Sequence, residues 1–477
     1  MNNDLFNKIT IDIRFSMSVN LHTHIYQVLG AQYRKVKFSV YDRIYSAKLS
    51  SEALYRHCKN KLNSPSVKIH LIYPMSLALK RAVKISDLLS EEFIDKVVLE
   101  KIEENILGEN VRRDVDILFI NSFGTYMLGG TKERKVHLEC APGTIILQIL
   151  FDMIKRINVN KSEVKVIADI STGYNVYNVA LLNALRALIV RNKLNNAFEG
   201  NIRAYYAVSE PILGRVEAEK YKVYIDEYDV KAFFELPIRE RNLDNISKLE
   251  NYINGGLTPE RKRTYAQQNL EINRKLKSLL FNLIRAFNAI KYNTPLALYY
   301  PEILNLNLNY KQIEKDIMNF YQKTFKMKIH NNTLKSLKHN DKRIINILYS
   351  IALYEGITKL LSKLEKPTLN EIKEAFPKIY SKLKLDLNTK FLKRDIREIK
   401  SYSEKISNKW KVYDKIKHGE KQDRPIKSKK ITSDIKRNFF AHSGFEETIL
   451  EIRKNKQIEL RYRKDKINEI KKWLLNP

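Results

Sequence analysis

The stretch Lys436-Arg437-Asn438-Phe439-Phe440-Ala441-His442-Ser443-Gly444 holds residue types suited to one reaction in particular. Arginine keeps its charge, and its planar fork grips a phosphate through two parallel hydrogen bonds. Histidine titrates near neutrality and can hand over a proton. RNA carries its own nucleophile, the ribose 2′-OH. Cleavage by such a pair therefore needs neither a metal nor a nucleophilic side chain, and leaves a 2′,3′-cyclic phosphate. Of the nine histidines, only His442 has an arginine five to seven residues before it. Ser433 and Asp434 can cap a helix carrying the motif, and Gly444 can end it. Positions five apart on a helix are separated by roughly 140° around its axis. Arg437 and His442 then share a groove only if a second copy of the helix packs alongside, which predicts a dimer.

A second segment could hold an anion. The β-rich run Val164–Ala168 is followed by Asp169-Ile170-Ser171-Thr172-Gly173-Tyr174-Asn175 and then a helical pattern. A strand, a small-residue turn and a helix start leave backbone N–H groups and the positive end of the helix dipole pointing outward. Ser171 and Thr172 add hydroxyl donors, and Gly173 permits close approach. An ordinary capped β–α turn would read the same way. Three more turns follow strand-like runs: Leu29-Gly30-Ala31-Gln32-Tyr33, Tyr73-Pro74-Met75-Ser76-Leu77 and Asn121-Ser122-Phe123-Gly124-Thr125. Together the four resemble the rim of a pocket.

Positioning these groups falls to two different kinds of architecture. Residues 1–240 alternate strand-like runs (His24–Leu29, Val67–Tyr73, Asp116–Asn121, Val164–Ala168, Ile202–Val208) with helical ones (Ser51–Lys61, Thr144–Ile157, Val176–Lys193). That alternation predicts an α/β, Rossmann-like domain with a mostly parallel sheet, binding ligands beyond the carboxyl ends of its strands. Residues 241–477 read as all-α, with amphipathic helices over Glu271–Ile290, Asp341–Leu364 and Ser401–Ile416. The boundary falls between Leu236 and Pro259. Charge divides the chain likewise. Residues 1–250 hold 36 Lys and Arg against 30 Asp and Glu, whereas residues 251–477 hold 50 against 24. Lys-rich helix faces explain part of that excess but not its asymmetry, which points to a polyanion as partner of the second half.

Other classes are less compatible with the composition. Cys58 and Cys140 form neither a disulfide framework nor a CxxC pair. The apolar stretch Val179–Val190 is broken by Asn183 and Arg186 and falls short of the ~20 residues of a membrane span. The start MNNDLFNKIT has no signal-peptide pattern. A cytoplasmic protein without membrane association is the expectation.

The Arg437, Asn438, Ala441, His442 pattern matches the RNxxAH helix of the HEPN ribonucleases. The Asp169–Asn175 turn is similar to the D-[IL]-[ST]-x-G-x-N turn of CARF domains, and Gly30, Gln32 and Tyr33 resemble that family's first ligand-binding turn. The whole chain thus resembles the CARF–HEPN ancillary ribonucleases of type III CRISPR antiviral defence. The resemblance implies Arg437 and His442 as catalytic, with Asn438 as a positioning residue. It implies a homodimer or higher homo-oligomer that cuts single-stranded RNA without a catalytic cofactor. It further implies allosteric activation by a cyclic oligoadenylate, commonly the tetra-adenylate (cA4), held by Gly30, Gln32, Ser76, Ser171, Thr172, Gly173 and Asn175. The family turn often carries His before its glycine, where this chain has Thr172. Two other readings remain open: a ligand-responsive nucleic-acid-binding regulator without nuclease activity, and a HEPN toxin acting on tRNA.

Overall fold

Alternation in the first half produces an eight-stranded mixed sheet. The computed structural model describes residues 22–477 except 31–32, 62–65, 102–106, 131–133, 158–162, 173, 213–218, 239–241 and 420–429. Strands β1 (His22–Val28), β2 (Val36–Val40), β3 (Arg43–Ala47), β4 (Ser66–Pro74) and β5 (Val115–Ile120) come first. A hairpin, β6 (Gly124–Met127) and β7 (Lys135–Glu139), precedes β8 (Val164–Asp169), β9 (Ile202–Ser209) and β10 (Tyr221–Glu227). The sheet order is β3-β2-β10-β9-β8-β1-β4-β5. The five strands from β9 to β5 are parallel, and β10 and β3 run antiparallel to β9 and β2. All six residues of β8 are buried, as a central strand covered on both faces requires. The helices of this half are α1 (Ser50–Lys61), α2 (Glu91–Lys101), α3 (Glu109–Arg112), α4 (Pro142–Arg156) and α5 (Asn175–Asn195).

The second half is mainly helical: α6 (Leu243–Ile246), α7 (Pro259–Gln268), α8 (Leu270–Lys291), α9 (Tyr310–Thr324), α10 (Asp341–Leu361), α11 (Leu369–Lys382), α12 (Asp386–Ser401), α13 (Tyr413–His418), α14 (Lys430–Ala441) and α15 (Ile467–Leu475). Short strands interrupt them: β11 (Ile253–Gly255), β12 (Lys328–His330), β13 (Thr333–Lys335), β14 (Lys338–His339), β15 (Lys411–Val412), β16 (Leu450–Lys454) and β17 (Ile458–Tyr462). The expected helix over Ser401–Ile416 does not form. Helix α12 stops at Ser401, and β15 pairs with β16, itself paired with β17. Trp410 supplies a reason: it is stacked by Arg461 and Arg453, with their guanidinium carbons 4.2 and 4.6 Å from its ring centroid, which holds the chain against the hairpin. Helix α10 is long and apolar enough to cross a membrane by composition alone, yet 67% of that window is buried inside the protein.

The two halves are stitched together. The β12–β13 hairpin extends β7 in parallel, giving a sheet ordered β12-β13-β7-β6. Arg191 of α5 grips Glu314 of α9 through two hydrogen bonds of 2.7 and 2.6 Å, both partners being buried. A Cβ on Gly356 of α10 would lie 2.0 Å from the Leu194 carbonyl oxygen of α5, so only glycine permits this helix contact.

Candidate active site and ligand turns

Helix α14 carries Arg437 to Ala441 of the motif, with His442 in the turn immediately after it, and is anchored by one aromatic side. Phe439 is fully buried and packs on Trp473 and Tyr462, with ring centroids 5.4 and 6.0 Å away. Ser433 and Asp434 were expected to cap this helix. It begins at Lys430, so both lie inside it, and Asp434 instead sits 3.7 Å from the Arg437 guanidinium. The expected stop does occur. Ser443 and Gly444 both adopt positive φ, and the Gly444 N–H donates to the Phe439 carbonyl at 2.8 Å, closing the last turn. A Cβ on Gly444 would come within 2.8 Å of the Tyr462 hydroxyl.

Within one chain the two candidate catalytic groups are not brought together. Arg437 is 74% exposed and does not line the cavity at His442. Asn438 and His442, one turn apart, line a cavity of about 100 Å³ together with Asp395, Glu398, Tyr413 and Lys417. Elements far away in sequence hold the end of the motif. The Ser443 hydroxyl donates to Asp395 at 2.5 Å and accepts from the Asn293 amide at 2.8 Å. Arg394 donates to the Ala441 carbonyl at 3.2 Å and to the Asp395 carboxylate at 2.9 Å. These contacts fix the backbone on either side of His442. Asp395, Asn293 and Arg394 escaped the sequence reading, because nothing in their local pattern separates them from ordinary helix residues.

The ligand turns gather at one end of the sheet, since β8, β1, β4 and β5 are adjacent and parallel. Gln32 and Gly173 lie outside the described residues. Gly30 is buried, and its backbone carbonyl accepts from the Tyr33 hydroxyl at 2.6 Å. The Ser76 N–H donates to Ser122 Oγ at 3.0 Å, joining the β4 and β5 turns. Ser171 and Thr172 were expected to offer free hydroxyl donors, but both are used within the protein. Ser171 Oγ donates to Asp169 at 2.5 Å and accepts from the Ser209 N–H at 2.9 Å. Thr172 Oγ1 donates to the Val28 carbonyl at 3.0 Å. They tie the β8 turn to β9 and β1, while Asn175 is exposed at the start of α5. Burial pushes the Asp169 carboxyl up to about 6, against the hydrogen bonds from Ser171 and Ser50. Aromatic groups missed by the sequence reading crowd the same rim: Tyr174 packs edge-on against Tyr177, which also packs against Phe123.

The comparisons bear on both ends of the chain. The family model for the CARF domain of the CRISPR system endoribonuclease Csx1 matches residues 25–211. That for the Csx1 HEPN domain matches residues 385–464, and the two together span more than half of the chain. No curated protein matches it. The first match covers the parallel sheet and its turns, and the second covers α14 with α12, whose Arg394 and Asp395 brace its end. The chain belongs to the CARF–HEPN ribonucleases of CRISPR systems, in which a ligand-binding domain regulates an RNA-cleaving one.

Proposed function

We propose that this protein is a metal-independent endoribonuclease of type III CRISPR antiviral defence, acting in the cytoplasm. It cuts single-stranded RNA when a cyclic oligoadenylate, cA4 in the first instance, occupies its N-terminal domain. The sensor spans residues 1–240 and the nuclease domain residues 241–477. The observation that carries the reading is the braced His442, sharing a cavity with Asn438 of α14, inside a segment that matches a HEPN domain.

The working unit is a homodimer, possessing two copies of α14 in one cleft. The exposure of Arg437, which is not among the residues lining His442's cavity, supports a role across that cleft. Arg437 neutralises the charge that builds on the phosphoryl oxygens as the 2′-oxygen attacks. One His442 accepts the 2′-OH proton, and the partner's His442 returns a proton to the departing 5′-oxygen. The products are a 2′,3′-cyclic phosphate and a 5′-OH. In the sensor, Asn175, exposed at the start of α5, meets the ring phosphates, and Tyr174 offers a surface for an adenine.

The decisive experiment measures cleavage of a labelled single-stranded RNA with no activator, with cA4 and with the six-unit ring, in EDTA throughout. Cleavage stimulated by cA4, with cyclic-phosphate ends, is expected. Cleavage indifferent to both rings overturns the regulatory reading, and loss of cleavage in EDTA overturns the chemistry.

A further inference from the structure

The cavity beside His442 has a charge opposite to its surroundings. It opens in the strongly basic half of the chain, yet four carboxylates line it, those of Asp395, Glu398, Glu446 and Glu447, against one ammonium from Lys417. Such a lining suits a cation. One carboxylate oxygen each from Asp395 and Glu398 and one ring nitrogen of His442 lie within 4.8 Å of one another. An independent feature points into the same space. Tyr413 is 3% exposed and lines the cavity, and its hydroxyl has no hydrogen-bond partner. A buried phenol of this kind calls for an acceptor. Burial, followed by the nearby Glu398, Tyr402, Glu447 and Asp395, raises its pKa and keeps it a donor.

We infer that this cavity binds a borderline divalent cation of the Zn²⁺ class through Asp395, Glu398 and His442, and that occupancy silences the nuclease. The inference rests on the catalytic reading of His442 given above. An imidazole among the ligands favours zinc over magnesium or calcium, which prefer all-oxygen shells. A water completes the tetrahedron and accepts the Tyr413 hydroxyl proton's hydrogen bond. Ligand lengths of about 2.1 Å place tetrahedral donors about 3.4 Å apart, so the ligands must close slightly, and the exposed His442 side chain can supply that movement. Lys417, now 2.8 Å from Glu398 and 3.1 Å from Glu447, keeps its bond to Glu447. With its nitrogen lone pair on the metal, His442 can neither accept nor donate a proton. The cation is thus an inhibitor and takes no part in the reaction.

The test uses the full-length chain without an affinity tag, stripped by chelator and titrated with Zn²⁺ by calorimetry, beside RNA cleavage at the same concentrations. Binding of one Zn²⁺ per chain is expected, with inhibition following the same isotherm. Affinity should fall at least tenfold in both Glu398→Gln and His442→Ala, with circular dichroism confirming that each variant is folded. His418→Ala is the control, because Asp414, His418 and Glu447 form a neighbouring group of similar spacing. Absence of binding, binding undiminished in folded Glu398→Gln and His442→Ala, or loss confined to His418→Ala overturns the site. Zinc bound as described without inhibiting cleavage overturns the silencing. If zinc binds as described but no activator elicits cleavage, the metal site stands and the nuclease reading falls.

Discussion

At the scale of single residues, the proposed chemistry concentrates on side chains whose neighbours come from elsewhere. Arg437→Ala and His442→Ala should each lower RNA cleavage at least ~100-fold while leaving the melting temperature unchanged, because both side chains are exposed. Retention of a tenth of the rate in either variant, measured with saturating activator, removes that residue from the mechanism. Ser443→Ala should behave differently. It deletes a donor to buried Asp395 and an acceptor for Asn293, a loss of about 1–3 kcal/mol in a urea melt. The motif of Arg437, Asn438 and His442 could be picked out in the sequence, and it lies inside the segment that matches the HEPN domain, because a pattern of types at fixed spacing survives without coordinates. Asp395 was not, since its value lies in where α12 crosses the end of α14. Ser171 and Thr172 were legible as turn residues, but the direction of their hydroxyls was not.

Individual elements show the same division. The parallel strands β1, β4, β5, β8 and β9 are rich in β-branched, aromatic and other apolar residues, so they could be read as strand-like runs. The strands on the other side of β9, namely β10, β2 and the edge strand β3, carry exposed residues along their length and did not stand out from loops. The small β15–β17 sheet was missed because its first strand is only Lys411–Val412 and depends on Trp410 packing beneath two arginines. Strand β1 also bears a pH response. Burial first, then His22 and Lys68, lowers His24 to about 4, and burial followed by His24 lowers His70 of β4 to about 2. His339 is lowered to about 4 by burial. These imidazoles stay neutral in the folded chain, whereas the unfolded chain protonates them near pH 6.5. Stability from this source is complete above pH ~6.5 and declines as acid is added toward about 4. Asp169, raised to about 6, works in reverse and weakens the fold as pH rises between about 4 and 6. Burial raises the carboxyls of Glu52, Asp152 and Glu446 in the same sense as Asp169, but the three imidazoles protonate in the unfolded chain within this interval and outweigh them, so urea midpoints should fall between pH 7 and 5, and His24→Gln should flatten that decline. A midpoint constant across the interval contradicts the account.

Across the whole molecule, the sensor and the helical half share buried structure. Glu314→Gln removes the charge partner of buried Arg191, and breaking such a pair should cost about 3–5 kcal/mol. Gly356→Ala should be destabilising as well, because α10 and α5 must separate to admit a methyl group. Electrostatics acts over the same range. RNA affinity should fall steeply with salt, following the positive excess of the second half, whereas affinity for the activator should change little. Equal salt slopes for the two ligands, measured by fluorescence anisotropy, contradict that separation of roles.

The parallel pairing of β13 with β7 has a practical consequence for engineering. The hairpin that completes the sensor's smaller sheet is encoded roughly a hundred residues after the sensor ends. A biosensor made by cutting this chain after residue 240 and grafting on a new reporter would leave β7 with a bare edge open to aggregation. A graft that carries the segment through His339 along with the sensor keeps that edge closed.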